Sequence, residues 1–263
     1  MIAKSLRDFR RSLIWWAIGI SAFMTMYLGI YPSIRENPDL YGAQALAKFP
    51  GALRDLMGGL QDMTSGAGYL QSVVYQLFVP MLFAVCAMLV ANRALAQPEE
   101  AGTLELVVTL PVARRRLLLE RFAAFALGLL AVAVVTLLVT WALAEGVALG
   151  VGADRLIAAH IGVYLVGLFF GSLTLAAGAA SGRRAPSLAL AGVWAVLGYV
   201  VVTVGQNVEA VAWLKWISPF HYYAAGRPLY QGLPVGDYLV LAGASAVLVL
   251  TAVLAFDRRD VGV

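Results

Sequence analysis

The residues of this sequence that could do chemistry are few and scattered. Glu99 and Glu100 are adjacent rather than facing, which does not favour a general acid and base pair. His221 has no second clustered ligand, and no Ser/His/Asp or Cys/His arrangement is visible. The single cysteine, Cys86, excludes a disulfide within the chain. These patterns indicate neither a catalytic site nor a metal site.

Nucleotide binding through a phosphate loop is excluded as well. Such a loop needs Gly-Lys-[Ser/Thr], because backbone amides and the lysine hold the phosphates. The only lysines are Lys4, Lys48 and Lys215, and none of them follows a glycine. If ATP drives this protein, another chain must bind the ATP.

The elements that must position these residues are apolar. Of the 263 residues, 61% are hydrophobic and 13% are charged, whereas soluble domains carry about 25% charged residues. Six segments are long enough to cross about 30 Å of hydrocarbon as helices, and strand-like alternation is absent. We predict an all-α membrane protein, with one transmembrane domain over residues 1–263 and spans at 13–31, 70–91, 122–144, 156–180, 188–205 and 238–256.

The basic residues divide unequally between the two sets of connections. Of the 19 lysines and arginines, 13 lie at the termini and in the second and fourth connections. The positive-inside rule therefore predicts a multi-pass protein of the inner membrane with both termini in the cytoplasm. Because these residues flank apolar runs, we interpret the net charge of +4 as a topology signal rather than a nucleic-acid-binding surface.

The N-terminus is basic and precedes an apolar run, as a signal peptide does. The run continues to about Tyr31, which is too long for a signal peptide, and no A-x-A-like cleavage site closes it. We therefore expect an uncleaved first span. Leu6, Phe9 and Leu13 are spaced to share one face, which predicts an interfacial elbow helix over Ile2–Ser12.

The connection between the second and third spans is the most informative segment. Pro98 and the two glutamates after it suit the first turn of a helix. Leu104, Val107 and Val108 follow helical spacing, and Pro111 ends the pattern. Two interpretations remain open at this point: an interfacial helix that only links two spans, or a docking surface for a cytoplasmic partner.

The run from Glu99 to Arg121 reads EEAGTLELVVTLPVARRRLLLER. It resembles the signature of permease subunits of type 2 ATP-binding-cassette exporters, in which E-x-GT-x-E and P-[VS]-x-R elements lie between the second and third spans. The basic N-terminus, the six spans, Ser-Pro-Phe-His-Tyr-Tyr before the last span and the C-terminal Phe-Asp-Arg-Arg-Asp agree with that layout. The likeness covers the whole chain in layout and is specific in motif over 99–116.

This resemblance implies a set of contacts with a partner. In such exporters the segment forms a cytoplasmic coupling helix that sits in a groove of a separate ATPase subunit. That subunit binds ATP and magnesium, and the permease carries no cofactor. The short connection near Gly182–Pro186 would make a second contact through Arg183 and Arg184. The resemblance assigns docking to Glu99, Glu100, Gly102, Thr103, Glu105, Pro111 and Arg114.

The resemblance also implies a pathway between two permease chains. Two copies, or one copy and a similar chain, would enclose it and export substrate by alternating access. Because the spans are mostly apolar, we expect a lipophilic or amphiphilic substrate such as a drug, an antibiotic or a lipid. The polar residues of spans one, two and five that would line the pathway are Thr25, Tyr27, Gln71, Tyr75, Gln76 and Thr203.

The connection before the last span is rich in aromatic residues. Tryptophan and tyrosine favour the headgroup level of a membrane. In the resembled exporters a pair of short helices re-enters the outer leaflet here, and an ordinary aromatic belt accounts for the same residues. The residues concerned are Trp213, Trp216, Phe220, Tyr222 and Tyr223, with Pro219 as a break.

Two other functions remain open from the sequence. A secondary carrier or channel would act without an ATPase, but such carriers usually keep ionisable residues within their spans. The six apolar segments contain no Asp, Glu, Lys or Arg, and the lone His160 is better explained by packing than by proton transfer. The third alternative is a non-transporting scaffold that only recruits a partner.

Overall fold

In this computed structural model, six helices of the described residues are long and apolar enough to cross a membrane. The structure describes residues 2–41, 48, 50, 63–102, 113–203, 205 and 208–258, and all regular structure within them is helical. The predicted all-α class and the number of spans are thereby confirmed. In chain order, spans one to six are Ile2–Arg35, Gly66–Glu100, Arg114–Gly146, Ala153–Ser181, Arg184–Thr203 and Val235–Arg258.

Span one is longer than its apolar run. One helix of 34 residues, Ile2–Arg35, contains both the predicted elbow and the predicted first span. At about 1.5 Å per residue this helix exceeds the ~30 Å of a hydrocarbon core, so part of it must lie beyond the core. An elbow helix distinct from the span stays a prediction.

Span four lies at the centre of the bundle, because it packs against spans two, three, five and six. Its glycines allow this close approach. A Cβ atom at Gly171 would overlap the ring of Phe125 in span three, and one at Gly162 would overlap the hydroxyl of Tyr238 in span six. Side chains of the neighbouring helices therefore occupy the space that larger residues of span four would need.

Span one packs at the edge of the bundle, mainly on span three. The side chain of Leu13 fits over Gly128, where a Cβ atom would lie 2.7 Å from the Leu13 methyl carbon. On its other face Trp15, Ile18 and Met26 are exposed. An apolar face of this kind suits lipid or another apolar helix.

Span two is interrupted rather than regular. It begins as an α-helix over Gly66–Tyr69, continues as a π-helix over Leu70–Tyr75 and resumes as an α-helix over Phe78–Ala94. Pro80 lies in the first turn of this last helix, where its missing N–H costs no intrahelical hydrogen bond. A final short helix, Ala96–Glu100, completes the span. The hydrophobic pattern predicted the span but not its interruption.

The connection between spans five and six contains three short helical segments, Glu209–Ile217, Pro219–Ala224 and Pro228–Gln231. Ser218 fixes the second of them, since its hydroxyl donates to the carbonyl of Gly198 (2.8 Å) and accepts from the N–H of Phe220 (3.2 Å). The first segment exposes Trp213 and Trp216. Entry of these segments into the outer leaflet stays a prediction.

Candidate functional site

The predicted docking residues lie in the connection between spans two and three and in the short connection after span four. Both connections lie at the end of the bundle where span four ends. We name this end of the bundle the basic end, defined by Arg93, Arg115, Arg184 and Arg258. Of the residues that the motif assigned, Glu99, Glu100, Gly102 and Arg114 are described. The remaining three, Thr103, Glu105 and Pro111, lie outside the described residues, as does the predicted apolar face of Leu104, Val107 and Val108.

The described part of the coupling segment is a short helix that ends in a glycine. This helix, Ala96–Glu100, begins two residues before Pro98, which lies in its first turn as predicted. Gly102 follows with a φ of +69°, a left-handed conformation that residues with a Cβ atom adopt at a cost. A Cβ atom there would meet no atom of the described residues within 4 Å. The positive φ is therefore the observed reason for a glycine at this position.

Glu100 joins the two connections that the sequence predicted as separate contacts. Its Oε2 atom accepts a hydrogen bond of 2.8 Å from the backbone N–H of Arg184. Arg184 is the first residue of span five. A carboxylate at this position satisfies an N–H that has no partner within the helix and faces the positive end of the helix dipole. The side chains of Arg183 and Arg184 are both exposed beside this contact.

A buried polar pair lies one turn deeper and was missed by the sequence analysis. The hydroxyl of Ser187 in span five lies 3.2 Å from Oδ1 of Asn92 in span two and 2.8 Å from the carbonyl oxygen of Arg184, and the side chains of Asn92 and Ser187 are both buried. At Gly178 of span four a Cβ atom would lie 3.2 Å from Cβ of Ala96, the closest packing beside this pair. The sequence contains one indication of this pair, since Asn92 is a polar residue directly after the apolar run 70–91.

The arginines at the start of span three pair with acidic groups. Nη2 of Arg115 lies 2.6 Å from Oδ2 of Asp257, in the last turn of span six. Within span three, Nε of Arg116 lies 2.8 Å from Oε1 of Glu120. Exposed pairs of this kind contribute little to stability because water and salt screen them. The first pair nevertheless ties span six to the end of the coupling segment.

The residues predicted to line a pathway do not form one cluster in this chain. Gln71 and Gln76 are hydrogen-bonded to each other over 3.3 Å. Thr25 is exposed on span one, whereas Thr203 is buried and donates to the carbonyl of Tyr199. The remaining two are Tyr27, which is half-buried, and Tyr75, which is fully buried.

Tyr75 belongs to a buried polar cluster at the end of the bundle opposite the basic end. Its hydroxyl lies 3.1 Å from Nδ1 of His160, and its carbonyl accepts a hydrogen bond of 2.7 Å from the hydroxyl of Tyr223. Nδ1 of His160 also lies 3.0 Å from the carbonyl of Leu156. The π-helix of span two, the N-terminal part of span four and the short helix Pro219–Ala224 meet at this cluster.

His221 lies beside the exposed tryptophans rather than in a metal site. Its ring packs edge-on against Trp216, with the centroids 4.7 Å apart. Partial burial, assisted by the positive charge of Lys215, lowers the pKa of His221 below its ordinary value. Among the described residues no group of three or more His, Cys, Asp or Glu side chains is placed to hold a metal ion.

Comparisons with known proteins bear on the whole chain. A comparison with curated proteins found no match. The family model of the ABC-2 family transporter proteins matches residues 1–261, which include all six spans and both connections at the basic end. Members of this family are membrane subunits without an ATPase site, and membership implies association with an ABC ATPase. With six apolar spans and this match over its length, the chain belongs to the ABC-2 family of transporter proteins, as a multi-pass membrane permease subunit.

Proposed function

We propose that the chain is the permease of an ATP-driven exporter that moves a lipophilic or amphiphilic substrate, such as a drug, an antibiotic or a lipid, out of the cell. The observation that carries this proposal is the hydrogen bond between Glu100 and the first residue of span five. It links the predicted coupling segment directly to a helix that is expected to border the pathway. Neither a secondary carrier nor a scaffold requires such a link.

The ATPase docks against the basic end from the cytoplasm. The main contact is formed by Glu99, Glu100, Gly102, Thr103, Glu105, Pro111 and Arg114, and the smaller one by Arg183 and Arg184. The ATPase binds ATP and magnesium, and this chain supplies no ligand to either. Both termini lie on the same side as the ATPase, which is the cytoplasmic side of the inner membrane.

Motion of the docked segment reaches the spans through three contacts. Glu100 contacts the first residue of span five, and the buried pair of Asn92 and Ser187 is a second contact between spans two and five. Arg115 and Asp257 connect the end of the segment to span six. When ATP closes the ATPase pair, these contacts shift the spans from one packing to another, which is alternating access.

Two copies of the chain enclose the pathway between them. The exposed apolar face of span one, with Trp15 and Ile18, is available to a second copy or to lipid. Thr25, Tyr27, Gln71 and Gln76 supply polar groups to the pathway, whereas the predicted lining residues Tyr75 and Thr203 are buried within the single chain. A mostly apolar wall with few hydrogen-bonding groups suits an amphiphile better than a small hydrophilic ion.

Co-purification tests the docking. A tagged chain is purified with its membrane from the native host, and any bound ATPase is identified. Arg183→Glu reverses the charge of an exposed side chain in the predicted second contact, and the same change at Arg155, which is exposed at the opposite end, is the matched control. We expect the wild-type chain and the Arg155→Glu variant to retain an ATPase, and Arg183→Glu to lose most of it. A wild-type chain without an ATPase would contradict the proposal.

Reconstituted vesicles test the substrate class. The purified permease and ATPase are assembled with fluorescent lipid, lipophilic dye or a small hydrophilic ion. We expect ATP-dependent movement of one of the amphiphiles and none of the ion. Movement of the ion alone, or movement without ATP, would favour the carrier instead.

A further inference from the structure

A second site lies at the basic end, apart from the predicted docking residues. A cavity of about 410 Å³ opens between the first turns of span one, the end of span two and the start of span three. Its volume lies within the range of about 300–1,000 Å³ that is usual for ligand pockets. The lining residues that matter for its chemistry are Asp8, Phe9, Arg93, Gln97 and Arg121.

The charges of this cavity favour an anion. Among the described lining residues the charged groups are two arginines and one aspartate, which gives them a net charge of +1. Asp8 lies near enough to Arg121 for an electrostatic attraction between the two side chains. Nη1 of Arg121 also donates a hydrogen bond to the carbonyl of Ala94. Arg93 is exposed and makes no hydrogen bond or ion pair with any residue of the described ranges. Its guanidinium therefore keeps its N–H donors for a ligand, and phosphate oxygens match that geometry.

The position of the cavity and its apolar wall favour a lipid over a free anion. Arg93 lies in the last turn of the helix Phe78–Ala94, and Arg121 directly precedes the apolar run of span three. Both arginines thus lie where the apolar spans end. Phe9, which is buried, and Pro98 supply an apolar wall next to the charges. A phosphate with an attached acyl chain uses both parts of this surface, whereas a free phosphate uses only the charges.

We propose that this cavity binds the phosphate-bearing headgroup of an anionic phospholipid. Basic pockets between transmembrane helices at the cytoplasmic surface bind headgroups of this kind. Arg93 and Arg121 hold the phosphate, Gln97 offers its amide to the glycerol, and Phe9 contacts the start of the acyl chain. The bound lipid fills the space between span one and the helix Ala96–Glu100, so it braces the described part of the coupling segment.

Native mass spectrometry of the purified chain tests this proposal. The protein is released from micelles that contain phosphatidylglycerol, phosphatidylcholine or inorganic phosphate, and the bound species are counted. Arg93→Gln removes the arginine that makes no hydrogen bond or ion pair within the described part of the chain. Arg258→Gln is the matched control, because Arg258 is also exposed in the last turn of a helix and does not line the cavity. Asp8→Asn raises the net charge of the cavity instead.

We expect phosphatidylglycerol to bind in preference to phosphatidylcholine and to persist in excess inorganic phosphate. Loss of one basic residue near the headgroup should weaken this binding about fivefold in Arg93→Gln, and Arg258→Gln should leave it unchanged. Asp8→Asn should strengthen it, which gives a second test if Arg93→Gln folds poorly. Equal weakening by the two arginine variants, or displacement by inorganic phosphate alone, would overturn the proposal.

Discussion

Glu100 occupies a position where one carboxylate serves two parts of the chain. It ends the short helix Ala96–Glu100 and at the same time accepts a hydrogen bond from the first N–H of span five. Docking to an ATPase was the role that the motif assigned to it. The structure adds an intramolecular contact, which makes Glu100 a positioning residue between the coupling segment and span five.

Replacing Glu100 with alanine should lower stability and weaken coupling together. Loss of a carboxylate at a helix N-terminus costs about 0.5–2 kcal/mol when its hydrogen bond is lost as well. We expect a lower melting temperature and a smaller stimulation of the partner's ATP hydrolysis by substrate. Glu145→Ala, at an exposed position of the opposite end, should change neither quantity. Full substrate stimulation in Glu100→Ala would show that the contact does not transmit motion.

The buried pair of Asn92 and Ser187 should couple measurably. Interhelical hydrogen bonds in membranes contribute about 0.6 kcal/mol on average and up to about 1.7 kcal/mol. A double-mutant cycle with Asn92→Ala and Ser187→Ala, read from unfolding in mixed micelles, should give a coupling energy in that range. Strictly additive effects of the two changes would mean that the 3.2 Å contact contributes nothing to stability.

At the scale of the element, the close packing of span four depends on glycines, which have no side chain. Gly162 and Gly171 leave room for Tyr238 and Phe125 of the neighbouring spans. The sequence contains this information only as small residues at four-residue spacing, a pattern that is common in membrane helices. Which partner ring fills each space depends on the tertiary arrangement, so the spacing alone could not identify it.

Gly171→Ala should be destabilising although alanine is the better helix former. The new Cβ atom would overlap the ring of Phe125, which is fully buried, and such overpacking costs about 1–3 kcal/mol. Gly192→Ala in span five is the control, because a Cβ atom there meets nothing within 4 Å. We expect the control to be neutral or slightly stabilising. Equal melting temperatures of the two variants would show that span four tolerates a side chain at Gly171.

Span two marks the limit of prediction from the hydrophobic pattern. Its apolar run predicted a span at 70–91, and the structure has one at Gly66–Glu100. The π-helix Leu70–Tyr75 left no signal in that pattern, because hydrophobicity does not distinguish backbone bonds between residues i and i+5 from those between i and i+4. At the interruption Tyr75 contacts His160 and Tyr223, which are distant in sequence.

At the scale of the whole molecule, composition and charge carried most of the prediction. Six apolar runs gave the six spans because each helix must satisfy its backbone within the membrane. The motif located the coupling segment but could not reveal that Glu100 bonds to Arg184, 84 positions away. Contacts between distant segments follow from the packing of the bundle, which single-sequence patterns do not contain.

The predicted orientation of the molecule can be measured with one cysteine at a time. Cys86 is buried and is the only cysteine of the chain, so its background reactivity should be low. Arg155→Cys and Arg258→Cys place a thiol at exposed positions of opposite ends. A maleimide that cannot cross membranes should label Arg155→Cys on intact cells and Arg258→Cys only after permeabilisation. The reverse labelling pattern would show that the chain crosses the membrane in the opposite orientation.

The central place of span four has a consequence for biosynthesis. A ribosome delivers the spans in order, and span four packs extensively against span six, the last to emerge. Until span six is inserted, the surface of span four at Gly162 lacks its contact with Tyr238, so the nascent chain lies in the bilayer with part of its interior uncovered. A chaperone or insertase that shields this groove would bind the five-span intermediate and release the completed protein. Chains truncated before span six should accordingly be substrates for membrane proteases.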